Sequence, residues 1–469
     1  VSDRYQAYNI EMAEVTGARF WAPYAEGAKE VYRYRPPVDL TDRRLINLAR
    51  HLGPSLMRVS GSWANSTYLL GDGEKLTTPP PGYKQILTRN QWRAVIAFSK
   101  AVDAPIVTSF AVSAGVRGSD GQWGPHQAQR MADLTKISDG SIFAAEFFNE
   151  PNMPESAIGL SKSYSAANYA ADFRRFRQWA ALALPGMKIL GPGSVGEGGL
   201  LPRPPVNAVG TPISSNAMMQ GNPGSLDAVS YHFYGAVSER CAGMNLDTAV
   251  QADALTPAWL DGTLREYEYY AALRDRYEPG KPMWNTETGQ AACGGSRWAS
   301  TFVDSFRYVN QLGILAQGGV QVVIHNTLAA ADYGLIDGDT LVPRADYWAA
   351  LLWHRTMGKT VLEAPHSPTA KLRLYAHCLP NGGGGVGLVA LNLAPAEQSF
   401  AIGGKGRVWM MTGQPLDTGA VLVNGRSPTT DRQGNPRHLY GERVRGTVSI
   451  AGQAIAFLAF PGAGNPACT

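Results

Sequence analysis

Two short segments each set a carboxylic acid at the end of an apolar run. One is "EFFNEPN", residues 146–152, which stops on Asn149-Glu150-Pro151; the other is "PMWNTETG", residues 282–289, with Asn285 and Glu287. Two carboxyl groups facing each other across a cleft suit glycoside hydrolysis: one protonates the leaving oxygen and the other attacks the anomeric carbon. Retention of configuration asks for a separation of roughly 5 Å. The acid has to hold its proton near neutrality while the nucleophile stays ionised. Arg58 and Tyr234 are candidates to stabilise the ionised group, and Asn149 to hydrogen-bond a sugar 2-hydroxyl. Each acid alone has an ordinary explanation, since Asn-Glu-Pro makes turns and Glu287 is a fitting ion-pair partner for Arg58. Both acids, each with an adjacent or near asparagine, at the ends of two strands of one barrel favour catalysis. His232 is read as lining the substrate rather than as a base.

The elements that position these residues follow from periodicity. Short β-rich runs at 6–12, 55–61, 105–112, 142–150, 187–193, 228–234, 282–287 and 320–327 predict eight strands. Helical patterns lie between them at 41–52, with Thr41 as N-cap, and at 90–102, 165–183, 258–277 and 298–313; one at 346–357 closes the set. Eight strands separated by helical stretches predict a (β/α)8 TIM barrel over residues 6–358. In such barrels the chemistry sits at the C-terminal strand ends, here Glu11, Arg58 with Ser60, Asn149 with Glu150, His232 with Tyr234, Asn285 with Glu287, and His325 with Asn326. After Gly358 the chain turns to short alternating segments punctuated by Gly, Asn and Pro, which predict a β-sandwich domain over 359–469. The Pro/Gly/Ser-rich stretch 191–225 is expected as a long loop at the barrel mouth.

Composition bounds the function. A chain of 469 residues with 44% hydrophobic and 17% charged residues has ample material for a large core and more than one domain. The net charge of +4, without a Lys/Arg block, excludes a nucleic-acid signature. No apolar run reaches 18 residues, so no membrane helix is expected. Cys241, Cys293, Cys378 and Cys468 lack the spacing and histidines of a zinc site and leave three disulfide connectivities open. Asn65-Ser66-Thr67 matches the glycosylation sequon, a pattern that also arises by chance.

"FFNEPN" and "MWNTETGQAACGG" together resemble the heparanase-like β-glucuronidases of glycoside hydrolase family 79. "LARHLGPSLMRVSG", "YHFY", "DYGLID" with "PRADYWAALLWHRTMGKTVL", and the tail "LRLYAHC" with "ACT" extend the resemblance through most of the chain. It implies a retaining mechanism with Glu150 as acid/base and Glu287 as nucleophile. It also implies a barrel whose sandwich is joined by a strand from residues 1–5. Tyr333 and the Gly294 N–H match positions that bind the uronate carboxylate, a task for strong hydrogen bonds to a charged acceptor. Glu11, Ser60, Asn149, His232 and Tyr234 are the further substrate-binding positions, with Arg58 in support. Cys378–Cys468 is the bridge the resemblance implies; Cys241–Cys293 has no counterpart in the resembled pattern and is a separate hypothesis, a bridge joining the loops after strands six and seven.

The expected activity is a retaining endo-β-D-glucuronidase on heparan-sulfate-like glycosaminoglycans. The alternatives are exo-release of terminal glucuronic acid and, more distantly, non-catalytic glycan binding. The loops at 200–222 and 236–256 are expected to decide between cleft and pocket. The chemistry calls for no metal or organic cofactor. The expected partner is a glucuronic-acid-containing polysaccharide or oligosaccharide, with no nucleic acid and no membrane. A secreted or periplasmic monomer is expected, with its chain uncut. Departures from the resembled pattern are Cys293 within the glycine run, Ala331 before the tyrosine segment, and Glu11 in place of a shorter aspartate.

Overall fold

A computed structural model describes residues 1–469 except 25–29, 155–159, 162 and 202–212. Eight parallel strands close a barrel: β1 (Gln6–Glu11), β2 (Met57–Ser60), β3 (Ile106–Thr108), β4 (Ile142–Glu146), β5 (Lys188–Val195), β6 (Ala228–Phe233), β7 (Met283–Thr288) and β8 (Val322–His325). Each is followed by a helix, α1 (Arg43–Arg50), α2 (Arg89–Ala101), α3 (His126–Ile137), α4 (Ala166–Ala183), α5 (Ser215–Gln220), α6 (Gly262–Tyr277), α7 (Phe302–Gln317) and α8 (Ala345–Thr356). β1 pairs with both β2 and β8, which closes the ring and leaves no edge. Strands in such a ring are covered on both faces, which is why β1, β2, β6, β7 and β8 are buried at every position.

Side chains alternate along a strand, and the inward set is layered. One layer is apolar, built from Ala7, Leu56, Val107, Ala144, Leu190, Ala228, Trp284, Val322 and Ile324. Two residues further along β1, β2, β4 and β7 the inward positions become Asn9, Arg58, Glu146 and Thr286, all buried. A polar layer therefore rests on the apolar plug, at the end of the barrel where chemistry is expected.

Two expectations are corrected. α1 is capped by Asp42, whose carboxylate accepts from Arg44 N and Leu45 N, and not by Thr41, which instead bonds Asp39. Residues 1–5 form no strand. Asp3 and Arg4 are drawn into ion pairs with Lys359 and Asp103, and the Val1 ammonium donates to the Lys359 carbonyl at 3.0 Å. The N-terminus thus braces the start of the C-terminal segment without joining its sheet.

That segment forms one seven-stranded antiparallel sheet from β9 (Val361–Leu362), β10 (Leu372–Cys378), β11 (Val386–Asn392), β12 (Gln398–Thr412), β13 (Leu422–Val423), β14 (Glu442–Ile450) and β15 (Ala454–Phe460). The order is β9-β10-β11-β15-β12-β13, with β14 also on β12. Alternation again sorts the faces. Leu374, Ala390, Val408, Val448, Ala456 and Leu458 gather in a core of the sheet's own, while Tyr375, Val389, Met411, Ile455 and Phe457 join the barrel core. Burying a side chain such as Phe457 stabilises by about 2 kcal/mol. The Tyr375 hydroxyl donates to Asn310 Oδ1 of α7 at 2.7 Å, and Arg373 Nη1 donates to the same oxygen at 2.9 Å. Cys378–Cys468 ties β10 to the C-terminal turn, and Cys241–Cys293 links the loops after β6 and β7. Among the described residues no helix is long and apolar enough to cross a membrane.

Candidate active site

Arg58 organises the polar layer. Its guanidinium is fully buried and donates from Nη1 to Glu287 Oε2 at 2.8 Å, from Nη2 to Glu146 Oε2 at 2.8 Å, and from Nη2 to Asn149 Oδ1 at 2.8 Å. Nε adds a bond to Glu146 Oε2 at 3.1 Å, and Nη1 one to Asn9 Oδ1 at 3.1 Å. Burial raises the carboxyl of Glu146, but Arg58, His232 and the Thr286 hydroxyl at 2.6 Å outweigh it and hold the group well below the usual carboxylate range. Glu146 is thus the permanent counter-ion of Arg58, leaving one edge of the guanidinium for Glu287.

Glu287 reaches that edge through a register shift. β6 and β7 pair Tyr231 with Asn285 and then His232 with Glu287, so one extra residue of β7 lies opposite β6. Thr286 and Glu287 consequently both address the interior. Glu287 Oε1 accepts from the Tyr234 hydroxyl at 2.8 Å.

Glu150 is not on the strand that the sequence assigned to it. β4 stops at Glu146, and Glu150 follows four residues later with φ of 50°, in the left-handed region that few non-glycine residues adopt. The segment is clamped there: Asn65 Nδ2 donates to the Asn149 carbonyl, and Asn149 N donates to Asn65 Oδ1, each at 2.9 Å. His232 Nδ1 faces Glu150 Oε1 at 3.1 Å. Its Nε2 faces Arg58 Nη2 at 3.2 Å and Glu146 Oε1 at 3.7 Å. Burial raises the Glu150 carboxyl, the His232 bond lowers it, and the charge of Glu287 raises it again; the balance lies above the ordinary value. Burial lowers His232, but Glu287, Glu146 and Glu150 bring it up to about 9. One carboxylate oxygen of Glu150, one of Glu287 and a ring nitrogen of His232 all lie within 4.8 Å of one another.

Glu11 packs against Gly61, where a Cβ would stand 1.7 Å from its carboxylate and where φ is 89°. Only glycine serves at that point. Burial and then the charge of Glu287 push Glu11 well above the usual range. Asn326 Nδ2 lies 3.0–3.1 Å from Glu11 Oε1, the Tyr234 oxygen and the Tyr333 oxygen, tying the three together. Gly294, at φ of 85°, fits between Arg240 and Trp21, and a Cβ there would meet both at 2.5–2.6 Å. Ser60 and His232 are not brought to the cleft: the Ser60 hydroxyl pairs with Ser109 at 2.6 Å while Gly61 and Ser62 line the wall, and His232 is fully buried behind Glu150 with both ring nitrogens facing protein groups.

The cleft above the two acids has a volume of about 620 Å³. Its walls include Glu11, Tyr234, Asn326 and Tyr333 below, and Phe20, Trp21, Trp63, Leu201 and Leu246 above. Trp21 stacks on Tyr32 across a hairpin, Ala18–Trp21 with Tyr32–Arg35, that the sequence reading missed although both strands alternate. Glu146, Asn9 and Asn65 were missed too; period-two alternation from Ala144 and Ala7 is the signal that finds the first two. Of the two loops expected to shape the cleft, 236–256 contributes Val237, Cys241, Met244 and Leu246, and 200–222 contributes Leu200 and Leu201, with 202–212 outside the described residues. Asn65, the sequon asparagine, is fully buried with its carboxamide engaged, so it is not a glycan acceptor in the folded chain.

Paired acids at the mouth of a (β/α)8 barrel define the class of barrel glycoside hydrolases. Residues 82–313 match glycosyl hydrolase family 79, N-terminal domain. Heparanase-like protein 1 of Arabidopsis thaliana is 27% identical over 76% of the chain and 65% of its own length. Heparanase of Bos taurus is 28% identical over 65% and 55%, and baicalin-beta-D-glucuronidase of Scutellaria baicalensis 32% identical over 36% and 31%. The chain therefore spans less than two thirds of these relatives. The fold matches a 4-O-alpha-L-rhamnosyl-beta-D-glucuronidase from Fusarium oxysporum with a TM-score of 0.65 at 13% identity, covering 98% of this chain and 96% of that one. An alpha-L-arabinofuranosidase from Thermotoga petrophila gives the same TM-score and identity over 98% and 97%.

Proposed function

We propose that the chain is a retaining β-glucuronidase with Glu150 as acid/base and Glu287 as nucleophile. The observation that carries this reading is that one carboxylate oxygen of Glu150 and one of Glu287 lie within 4.8 Å of each other, a close approach that suits direct displacement; inversion needs a wider gap for water. Glu150 gives its proton to the glycosidic oxygen while Glu287 bonds to the anomeric carbon and the leaving group departs. Covalent bond formation removes the charge of Glu287, one of the causes that raise Glu150. Glu150 then accepts a proton from the water that attacks the glycosyl ester, and Glu287 is released. Asn149 is assigned to the sugar 2-hydroxyl, Glu11 and Tyr234 to the sugar ring site, Tyr333 with the Gly294 N–H to the uronate carboxylate, and His232 to positioning Glu150. Similarity to heparanases and to a baicalin glucuronidase supports a glucuronide as substrate.

Within this reading the proposed substrate is a glucuronic-acid polymer of the heparan sulfate type, cut in mid-chain. The apolar upper wall, with Phe20, Trp21, Trp63 and Leu246, favours a second reading in which terminal glucuronic acid is released from a less polar leaving group. Sizing the products of digested heparan sulfate separates the two, because early mid-length fragments mean endo-cleavage and released monosaccharide means exo-cleavage. Trapping Glu287 as a covalent adduct with a glucuronic-acid-shaped mechanism-based inhibitor tests the mechanism; an adduct elsewhere overturns it. The two disulfides support an oxidising compartment, secreted or periplasmic.

A further inference from the structure

Four cations meet on the C-terminal sheet, far apart in sequence. The register of β12 and β14 sets Lys405 opposite Arg445 and Arg407 opposite Arg443. Directly opposed residues share a face, and like charges so placed destabilise a sheet. Gly406 and Val444 between them turn to the other face, where Val444 packs on the sheet core. All four cations are exposed, and none lies within ion-pair distance of a carboxylate among the described residues. One internal bond is made, from Arg407 Nη1 to the Gly441 carbonyl at 2.9 Å. Together with Pro461 the four side chains frame an open depression of about 580 Å³. Its lining shares no residue with the cleft. Further along the same face of β12, Met411 is buried against the barrel, so the cations stand where the sheet runs on past it.

We propose that this face of β12 and β14 is a binding surface for an anionic polysaccharide, separate from the cleft. Two columns of like charge, kept face to face without internal neutralisation, are relieved when a chain of carboxylates or sulfates lies between them. The choice of a polysaccharide rests on the β-glucuronidase reading, since a glucuronide polymer carries the complementary charge along its length. Held there, the polymer raises the local concentration of cleavable linkages without any change at the acids.

The test uses the full chain and the double variant Lys405→Glu, Arg443→Glu. Each new glutamate faces an arginine, a pairing that favours the sheet, so folding is retained. Binding of heparan sulfate and of hyaluronan is measured at 50 and 150 mM salt, alongside turnover of a small aryl β-glucuronide. The expected result is binding weakened about tenfold or more in the variant, with a shallower salt dependence and unchanged turnover of the aryl glucuronide. Equal polymer binding by variant and wild type overturns the proposal, as does a DNA duplex that binds the wild type more tightly than either polysaccharide. Loss of aryl-glucuronide turnover in the wild type itself would instead overturn the β-glucuronidase reading.

Discussion

Asn65 and Asn149 are joined by two hydrogen bonds, carboxamide to peptide in both directions and each 2.9 Å long. The pair fixes the peptide immediately before Glu150, whose left-handed backbone is otherwise unfavourable. Asn65→Ala is expected to lower kcat by about a hundredfold, because a displacement near 1 Å at the acid has that effect. Loss of two buried hydrogen bonds should cost about 2–3 kcal/mol as well. Kinetics well below the unfolding transition separate the two effects. A destabilised variant with wild-type kcat would refute the positioning role.

The division of labour between the acids is testable through the leaving group. Glu150→Gln should lose about 10²–10⁴-fold on a glucuronide with a poor leaving group, which needs a proton. It should lose far less at the bond-breaking step with a dinitrophenyl leaving group, which needs none. Glu287→Gln should abolish turnover of both. Equal losses for the two substrates in the Glu150 variant would reassign the acid.

Activity should fall on the alkaline side as Glu150 gives up its proton, above the ordinary carboxylate range because burial and then Glu287 raise it. The His232 bond acts in the opposite sense. His232→Ala should therefore move the alkaline limb of kcat/KM to higher pH while lowering its height. A limb that stays in place, or moves down, contradicts the contact.

Glu14 lies outside the proposed chemistry yet bears on stability. Its side chain accepts from Glu11 N at 2.8 Å, and burial raises it to about 7, with Arg35 opposing. A raised carboxyl binds its proton more tightly folded than unfolded, so stability is greatest below the unfolded value and falls as pH rises through 7. Glu14→Gln should flatten that fall between about pH 4.5 and 7 by roughly 2–3 kcal/mol, read from urea midpoints across the range. An unchanged slope would show that Glu14 does not titrate there.

Removing Arg58 leaves Glu146 buried without its counter-ion. Arg58→Met is expected to destabilise by about 3–5 kcal/mol, and adding Glu146→Gln to restore part of the loss. Denaturant unfolding of the single and double variants measures this, and additive losses would mean that the two groups are uncoupled.

All eight barrel strands were legible because parallel strands buried on both faces leave continuous apolar runs; Glu287 was legible on its strand, whereas the sequence puts Glu150 on a strand that ends four residues before it. Six of the eight helices were legible from their own period, with errors of a few residues at α7 and at the cap of α1, where Thr41 and Asp42 are both chemically able and only backbone geometry chooses. α3 was not read, and α5 lies inside the stretch 191–225 expected as a loop, where six residues are too few to show a period. Glu146 stands two residues beyond the inward Ala144, but the apolar Phe147-Phe148 that follow extend the strand-like run to Glu150 and mask the strand's true end. Asn65 read as a sequon, and no local pattern distinguishes a glycan acceptor from a buried carboxamide that clamps a loop 84 residues away.

What the amino-acid order determined by itself is what short-range physics controls: the period of the strands, the alternation of their faces and the two acids that close or follow their apolar runs. Tertiary structure alone decided which groups share charge. Arg58 meets Glu146 and Glu287 across 88 and 229 residues, and Lys405 meets Arg445 across a strand register. Electrostatic partners depend on distance through space, and closing the barrel and pairing the sheet is what sets those distances.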